Sequence, residues 1–200
     1  MRANIIRMKY YIKQIWMFLR IPLAIPAMIC YFFKKESRKI IKKDMERWKK
    51  IHHQTSTNDV YLFLYYMLNG DKCLRNIIYR RIGYISHLFK FLLPENKTVH
   101  ISTEKIGPGF YIQHGDCCYI AAHEIGDNCW VNQGVTLGYS NETDAPFIGN
   151  NVTVYAGAKV IGKVIVGNNV KIGANAVVIK DVPDNCTAVG IPATIIRKNI

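Results

Sequence analysis

From residue 148 an aliphatic side chain returns at every sixth position: Ile148, Val154, Val160, Val166, Ile172 and Val178. Four residues after each stands something compact: Val152, Ala158, Val164, Val170, Ala176 and Val182. Ile125, Val131 and Leu137 keep the phase, with Cys129 and Val135 at the fifth position, and Ile106 and Ile112 begin it. A helix repeats near 3.6 residues and a strand at 2, so neither alone gives a period of six. Six residues instead make one flat side of a three-sided coil, whose first side chain fills the interior and whose fifth must be small. Corners such as Gly126-Asp127-Asn128, Gly149-Asn150-Asn151, Gly167-Asn168-Asn169 and Gly173-Ala174-Asn175 supply residues that tolerate left-handed backbone. Coils then begin at 106, 125, 148 and 166. Stacked, they pair parallel strands over a continuous core.

Two breaks in phase interrupt the array. One extra residue lies between 112 and 125, and five lie between Leu137 and Ile148. Insertions in a repeat array become surface loops and often line its binding face.

The rest of the chain follows other rules. Residues 1–98 hold 20 Lys and Arg against 6 Asp and Glu, whereas residues 99–200 hold 7 against 8. The formal charge of +13 therefore belongs to the first half, which reads as a basic α-helical region, and residues 99–200 as the β-helix domain with a C-terminal tail. Half of the residues are hydrophobic, enough to exclude wholesale disorder. Residues 21–33 form a 13-residue apolar run that contains Pro22 and Pro26. That is short of the ~20 residues a spanning helix needs, and no clear cleavage site marks a signal peptide. One or two helices lying on a membrane, or packed on another subunit, are expected here. Residues 34–50 read as a strongly basic helix with Ile40, Ile41, Met45 and Trp48 as apolar positions, and Val60–Leu68 and Cys73–Leu93 as two more. No recognition motif accompanies the charge, so nucleic acid is not an expected partner. The six cysteines lack metal spacing and read as free thiols, with no metal expected.

Several runs carry a family resemblance: Gly-Phe-Tyr-Ile-Gln-His-Gly (109–115), Asn-Gln-Gly-Val-Thr-Leu-Gly (132–138), Tyr-Ala-Gly-Ala-Lys-Val-Ile-Gly (155–162) and Ala-Val-Gly-Ile-Pro-Ala (188–193). In order and spacing the chain resembles hexapeptide-repeat acyltransferases, within them the serine acetyltransferase group and its polysaccharide O-acetyltransferase relatives. The resemblance implies a mainly β fold, a left-handed parallel β-helix of about four coils preceded by the helical region. It also implies a cytoplasmic homotrimer, with pairing of trimers left open, and acetyl-CoA as donor in clefts between neighbouring helices. His114 matches the family's general base; a histidine suits that role because its pKa lies near the working pH. Gly138, Tyr139, Ala156, Gly157, Gly173 and Ala174 match the strip along the pantetheine arm, and Lys180, Arg197 and Lys198 are cations for the nucleotide phosphates.

The departures concern the acceptor. Gln113 stands where serine acetyltransferases carry an Asp, a second Asp aligns near Val99, and an Arg-His pair aligns with Asp144-Ala145. Most charges that would hold an amino-acid zwitterion are thus missing, with Gln113 and Asp144 left as acceptor contacts. The resulting expectation is acetyl transfer to a hydroxyl on a sugar or glycan precursor. The alternatives are a serine O-acetyltransferase of cysteine biosynthesis and a non-catalytic β-helix scaffold. The basic, apolar residues 1–50 are expected to hold the protein peripherally at the inner face of the membrane.

Overall fold

The structure, a computed structural model, describes residues 2–69 and 72–198. It divides into two compact units, one of Met1–Lys42 with Thr55–Glu95 and one of Lys43–Gln54 with Asn96–Ile200.

The second unit is a parallel β-helix of three sheets. The first orders β1 (Val99–Ile101), β4 (Cys118–Ile120), β7 (Thr136–Gly138), β10 (Lys159–Ile161) and β13 (Val177–Val178). The second orders β2 (Lys105–Ile106), β5 (Glu124–Ile125), β8 (Phe147–Ile148) and β11 (Ile165–Val166). The third orders β3 (Tyr111–Ile112), β6 (Trp130–Val131), β9 (Thr153–Val154), β12 (Lys171–Ile172) and β14 (Cys186–Val189), and β15 (Thr194–Lys198) closes it antiparallel to β14. The six-residue phase is the register of these ladders. Ile106, Ile125, Ile148 and Val166 align in one interior column, and Ile112, Val131, Val154, Ile172 and Ala188 in another. All are buried except Ile106, which sits half-exposed in the first rung. The array runs about five turns rather than four, because β1 precedes the first repeat and Val182 bridges to Val166 after the last.

At the corners the division of labour differs from the expected one. Asn128, Asn151, Asn169 and Asn175 take the left-handed conformation, at φ of 56°, 55°, 56° and 57°. The glycines that open these corners serve closeness instead: a Cβ on Gly149 would lie 2.8 Å from the Gly167 carbonyl carbon of the next coil. Asparagine ladders tie successive corners together, Asn151 Nδ2 donating to Asn169 Oδ1 at 3.1 Å and Asn169 Nδ2 to Asn185 Oδ1 at 2.9 Å.

Lys43–Gln54 belongs to this unit as the second half of α2 (Lys35–Ile51). Its Met45 and Trp48 are fully buried, and the Trp48 indole N–H donates to the Phe110 carbonyl at 2.9 Å. Asp44, also fully buried, accepts from the Gly109 N–H at 2.7 Å and the Phe110 N–H at 3.3 Å. Two backbone donors of the first coil are thereby satisfied by a carboxylate, which the basic reading of this helix did not anticipate.

The first unit holds α1 (Arg2–Phe33), α3 (Asp59–Leu68) and α4 (Lys72–Ile82). α1 is one helix, not two, and runs through Pro22 and Pro26. Packing against α3 overrides the local proline cost: Ala24, Ala27 and Tyr31 are buried and the Tyr31 ring stacks on Phe63 at 4.6 Å. The helix expected over 73–93 ends at Ile82. Gly83 follows at φ 82°, a left-handed position that ends a helix, and a 3-10 turn (Tyr84–Leu88) replaces the rest. None of the described cysteines forms a disulfide; Cys117 is exposed and the other five are buried. Burial pushes the Cys129 thiol up to about 11, in keeping with its inward position.

Candidate active site

From Ile112 to the next interior residue of its coil, Ile120, is eight positions, against six from Val131 to Leu137. The following side, Ile120 to Ile125, is one shorter, which leaves the net single extra residue seen in the sequence. The corner after β3 therefore holds five residues, Gln113 to Cys117, where the next coil uses three. His114 occupies this widened corner. Its φ is 65°, Gly115 follows at 66°, and the Gly115 N–H donates to the Gln113 carbonyl at 2.8 Å across it. That is a tight three-residue turn centred on a histidine, a conformation rare outside glycine. Elsewhere in the β-helix the left-handed positions are Gly or Asn, except Cys117. A histidine held there, with its side chain exposed, makes this corner the candidate site.

Below this corner the equivalent corners of later coils stack in a column. The Gly134 N–H donates to the Asp116 carbonyl at 2.7 Å, the Gly157 N–H to the Gln133 carbonyl at 2.9 Å, and the Asn175 N–H to the Ala156 carbonyl at 2.9 Å. His114, Ala156, Gly157, Gly173 and Ala174 thus share one edge of the first sheet. Ala174 is exposed and Ala156, Gly157 and Gly173 half-buried, a strip of small residues open to an extended chain. The fold demands the glycines in any case: a Cβ on Gly157, at φ 72°, would collide with the Asn175 side chain, and one on Gly173 would lie 2.6 Å from Val189 Cγ1.

Gly138, Tyr139, Lys180 and Asp144 lie on the opposite edge of that sheet, at the ends of β7 and β13 and in the insertion after β7. One strand, ~10 Å, separates the edges, so a single chain does not bring Asp144 to His114. The insertion is ordered by its own contacts. Asn141 Oδ1 accepts from the Thr143 and Asp144 N–H groups at 2.9 Å, and Asn141 Nδ2 donates to Asp144 Oδ2 at 2.8 Å. His123 Nε2 lies 3.0 Å from the Thr143 carbonyl. Asp144 therefore has a structural partner within its loop. Arg197 and Lys198 lie on β15, and their side chains fall outside the described residues.

Three residues carry no distinguishing mark in the sequence. Asn132 and Gln133, between His114 and the Ala156 corner, have side-chain oxygens shut off from solvent with no hydrogen-bond partner among the described residues. Buried orphan acceptors cost free energy. Asp116, exposed in the same corner as His114, is the carboxylate two residues from it. Polar residues in a corner read from sequence as turn formers, so nothing separated these three from their neighbours. Among the described residues no cluster of His, Cys, Asp and Glu could hold a metal ion. A cavity of about 370 Å³ lined by Lys43, Arg47, Lys50 and Asp127 lies at a different corner column from His114.

Residues 145–180 match the sequence family described as Bacterial transferase hexapeptide (six repeats), so the chain carries a hexapeptide-repeat domain. A serine acetyltransferase of Synechococcus elongatus is 42% identical over 119 residues, covering 58% of this chain and 48% of that protein. One of Helicobacter pylori is 48% identical over 99 residues, 48% of this chain and 58% of that protein. The chain thus spans about half the length of the curated relatives it matches. Among solved structures, the Neisseria gonorrhoeae serine acetyltransferase superposes with a TM-score of 0.68 at 24% identity, covering 92% of this chain and 80% of that one. The same enzyme in complex with serine gives 0.63 at 27% identity, covering 82% and 70%. These likenesses support the expected fold.

Proposed function

We propose that this chain is an acetyl-CoA-dependent O-acetyltransferase in which His114 is the general base. The observation that carries the reading is His114 itself, exposed at φ 65° in a widened corner above a strip of small residues. An acceptor hydroxyl is a weak nucleophile at neutral pH. His114 takes its proton as the oxygen attacks the thioester carbonyl. The resulting imidazolium returns a proton to the coenzyme A sulfur as the carbon–sulfur bond breaks. Backbone N–H groups of the corner column are the donors suited to the developing oxyanion. The strip along Ala156, Gly157, Gly173 and Ala174 holds the pantetheine arm. Lys180, Arg197 and Lys198 serve the phosphates.

The two edges of the first sheet cannot meet at one acceptor within a chain. A homotrimer, in which the loop of one copy faces the His114 corner of the next, resolves this, and self-association is part of the proposal. L-Serine is the acceptor that the similarity to serine acetyltransferases supports. A sugar hydroxyl is the second reading, favoured by one observation: no carboxylate stands at Gln113 or Val99 to hold an amino group. Purified protein assayed for thiol release with L-serine and with envelope sugars separates them. Turnover of serine, together with rescue of a cysteine auxotroph, supports the first. Turnover of sugars alone supports the second, and neither would return the chain to the scaffold alternative.

A further inference from the structure

α1 carries two faces. Met17, Ala24, Ala27 and Tyr31 are buried on the α3 side, with Arg20 Nη1 donating to the Leu68 carbonyl at 2.9 Å. On the opposite side, Ile12, Ile15, Phe18, Leu19, Ile29 and Phe33 fall on one helical face and are all exposed, Phe18 at 72% and Phe33 at 83%. A helix apolar on every side is one whose outer face is covered. The face continues past the helix end. Lys34 Nζ donates to the Ile82 carbonyl at 2.6 Å, which ties the end of α1 to the end of α4, and in the 3-10 turn that follows α4 Tyr84 is 93% exposed and Leu88 75%.

We propose that this face lies in the plane of an anionic lipid surface. Charge selects that occupant. Residues 1–42 hold ten Lys and Arg against one acidic residue, Glu36, with cations both before the apolar face and directly after it. Apolar side chains enter the acyl boundary while flanking cations meet anionic headgroups, two signals that together give stable peripheral binding. A second copy of the chain would bring two clusters of like charge together, which is unfavourable. Residues Gln14–Phe33, with a mean hydropathy of 1.7, are also long enough to cross a bilayer. Yet α1 is clamped along its flank by α3, whose start is held by an ion pair between Lys42 and Asp59 and by the Asn58 side chain accepting from the Tyr61 N–H at 2.9 Å. Crossing would carry those polar groups into hydrocarbon, whereas lying in the plane does not.

The test uses the purified full chain and two vesicle types, phosphatidylcholine alone and phosphatidylcholine with phosphatidylglycerol. Co-sedimentation with the anionic vesicles is expected, weakened by high salt. The exposed double variant Phe18→Glu/Leu19→Glu is expected to lose about tenfold in bound fraction with unchanged helical circular dichroism, and Lys35→Glu/Lys39→Glu to lose a similar amount. Equal sedimentation with both vesicle types, or none, overturns the proposal. So does a change of oligomeric mass in the apolar variant without vesicle binding, which assigns the face to a second copy. Resistance of the bound protein to carbonate extraction overturns it in favour of a spanning helix. Acetyl-CoA turnover is read separately, so loss of lipid binding and loss of the proposed catalysis remain distinguishable.

Discussion

The β-helix and the helical unit spend their apolar residues in opposite ways. In the β-helix the aliphatic residues of the six-residue phase fill interior rungs, whereas Ile165, Ile179 and Ile191 lie outside that phase and are exposed, and cations and anions nearly balance over residues 99–200. In the helical unit the apolar residues exceed what the fold covers. α1 buries one side on α3 and leaves Phe18, Leu19 and Phe33 bare, among an excess of cations. The β-helix buries the side chains that set its period; α1 leaves an apolar face that the described residues do not cover. The difference teaches that hydrophobic periodicity reports a shared face, and that the face is buried only where the fold supplies something to cover it.

Substitutions can break that contrast. The largest effect is expected from Val160→Asp, which puts an unpaired carboxylate in a fully buried rung. The expected cost is above about 4 kcal/mol, so urea titration should show no cooperative unfolding of the β-helix. The same change in kind at Phe18, Phe18→Asp on α1, should move stability by less than about 0.5 kcal/mol. Equal effects at the two sites would erase the comparison. Trp48→Ala removes a fully buried ring and its hydrogen bond to Phe110, with an expected loss of about 3–5 kcal/mol in denaturant midpoints. A negligible loss would mean that Lys43–Gln54 is not part of the β-helix unit. Within the β-helix the smallest effect is expected from Asn169→Ala, which cuts two rungs of the asparagine ladder and leaves Asn151 and Asn185 facing solvent. About 1–2 kcal/mol is expected from the thermal midpoint, with the left-handed position adding to the lost bonds.

What the sequence discloses follows from the same physics. The interior columns were legible because each repeat position has one environment, so Val154 and Ile172 read as core from their spacing alone. The corners were half legible. Glycine and asparagine both stood out, but only packing shows that Asn151 bends the chain while Gly149 lets coils approach. His114 was legible through a motif; its strained turn was not, because a net gain of one residue hides a corner two longer and a side one shorter. Asn132 and Gln133 carried no signal, since an orphan oxygen exists only once its surroundings are known. α1 misled for a related reason: Pro22 and Pro26 lower local helix preference, and only the tertiary contacts of Ala24, Ala27 and Tyr31 outweigh it.

The central claim is that the widened corner performs acid–base chemistry, and His114→Ala tests it most directly. With acetyl-CoA and L-serine, thiol release per folded protein should fall by about 10²–10⁴-fold, while acetyl-CoA affinity measured by calorimetry stays unchanged. Thiol release at the wild-type rate would contradict the assignment of His114 as base, and with it the reading of this corner as an active site.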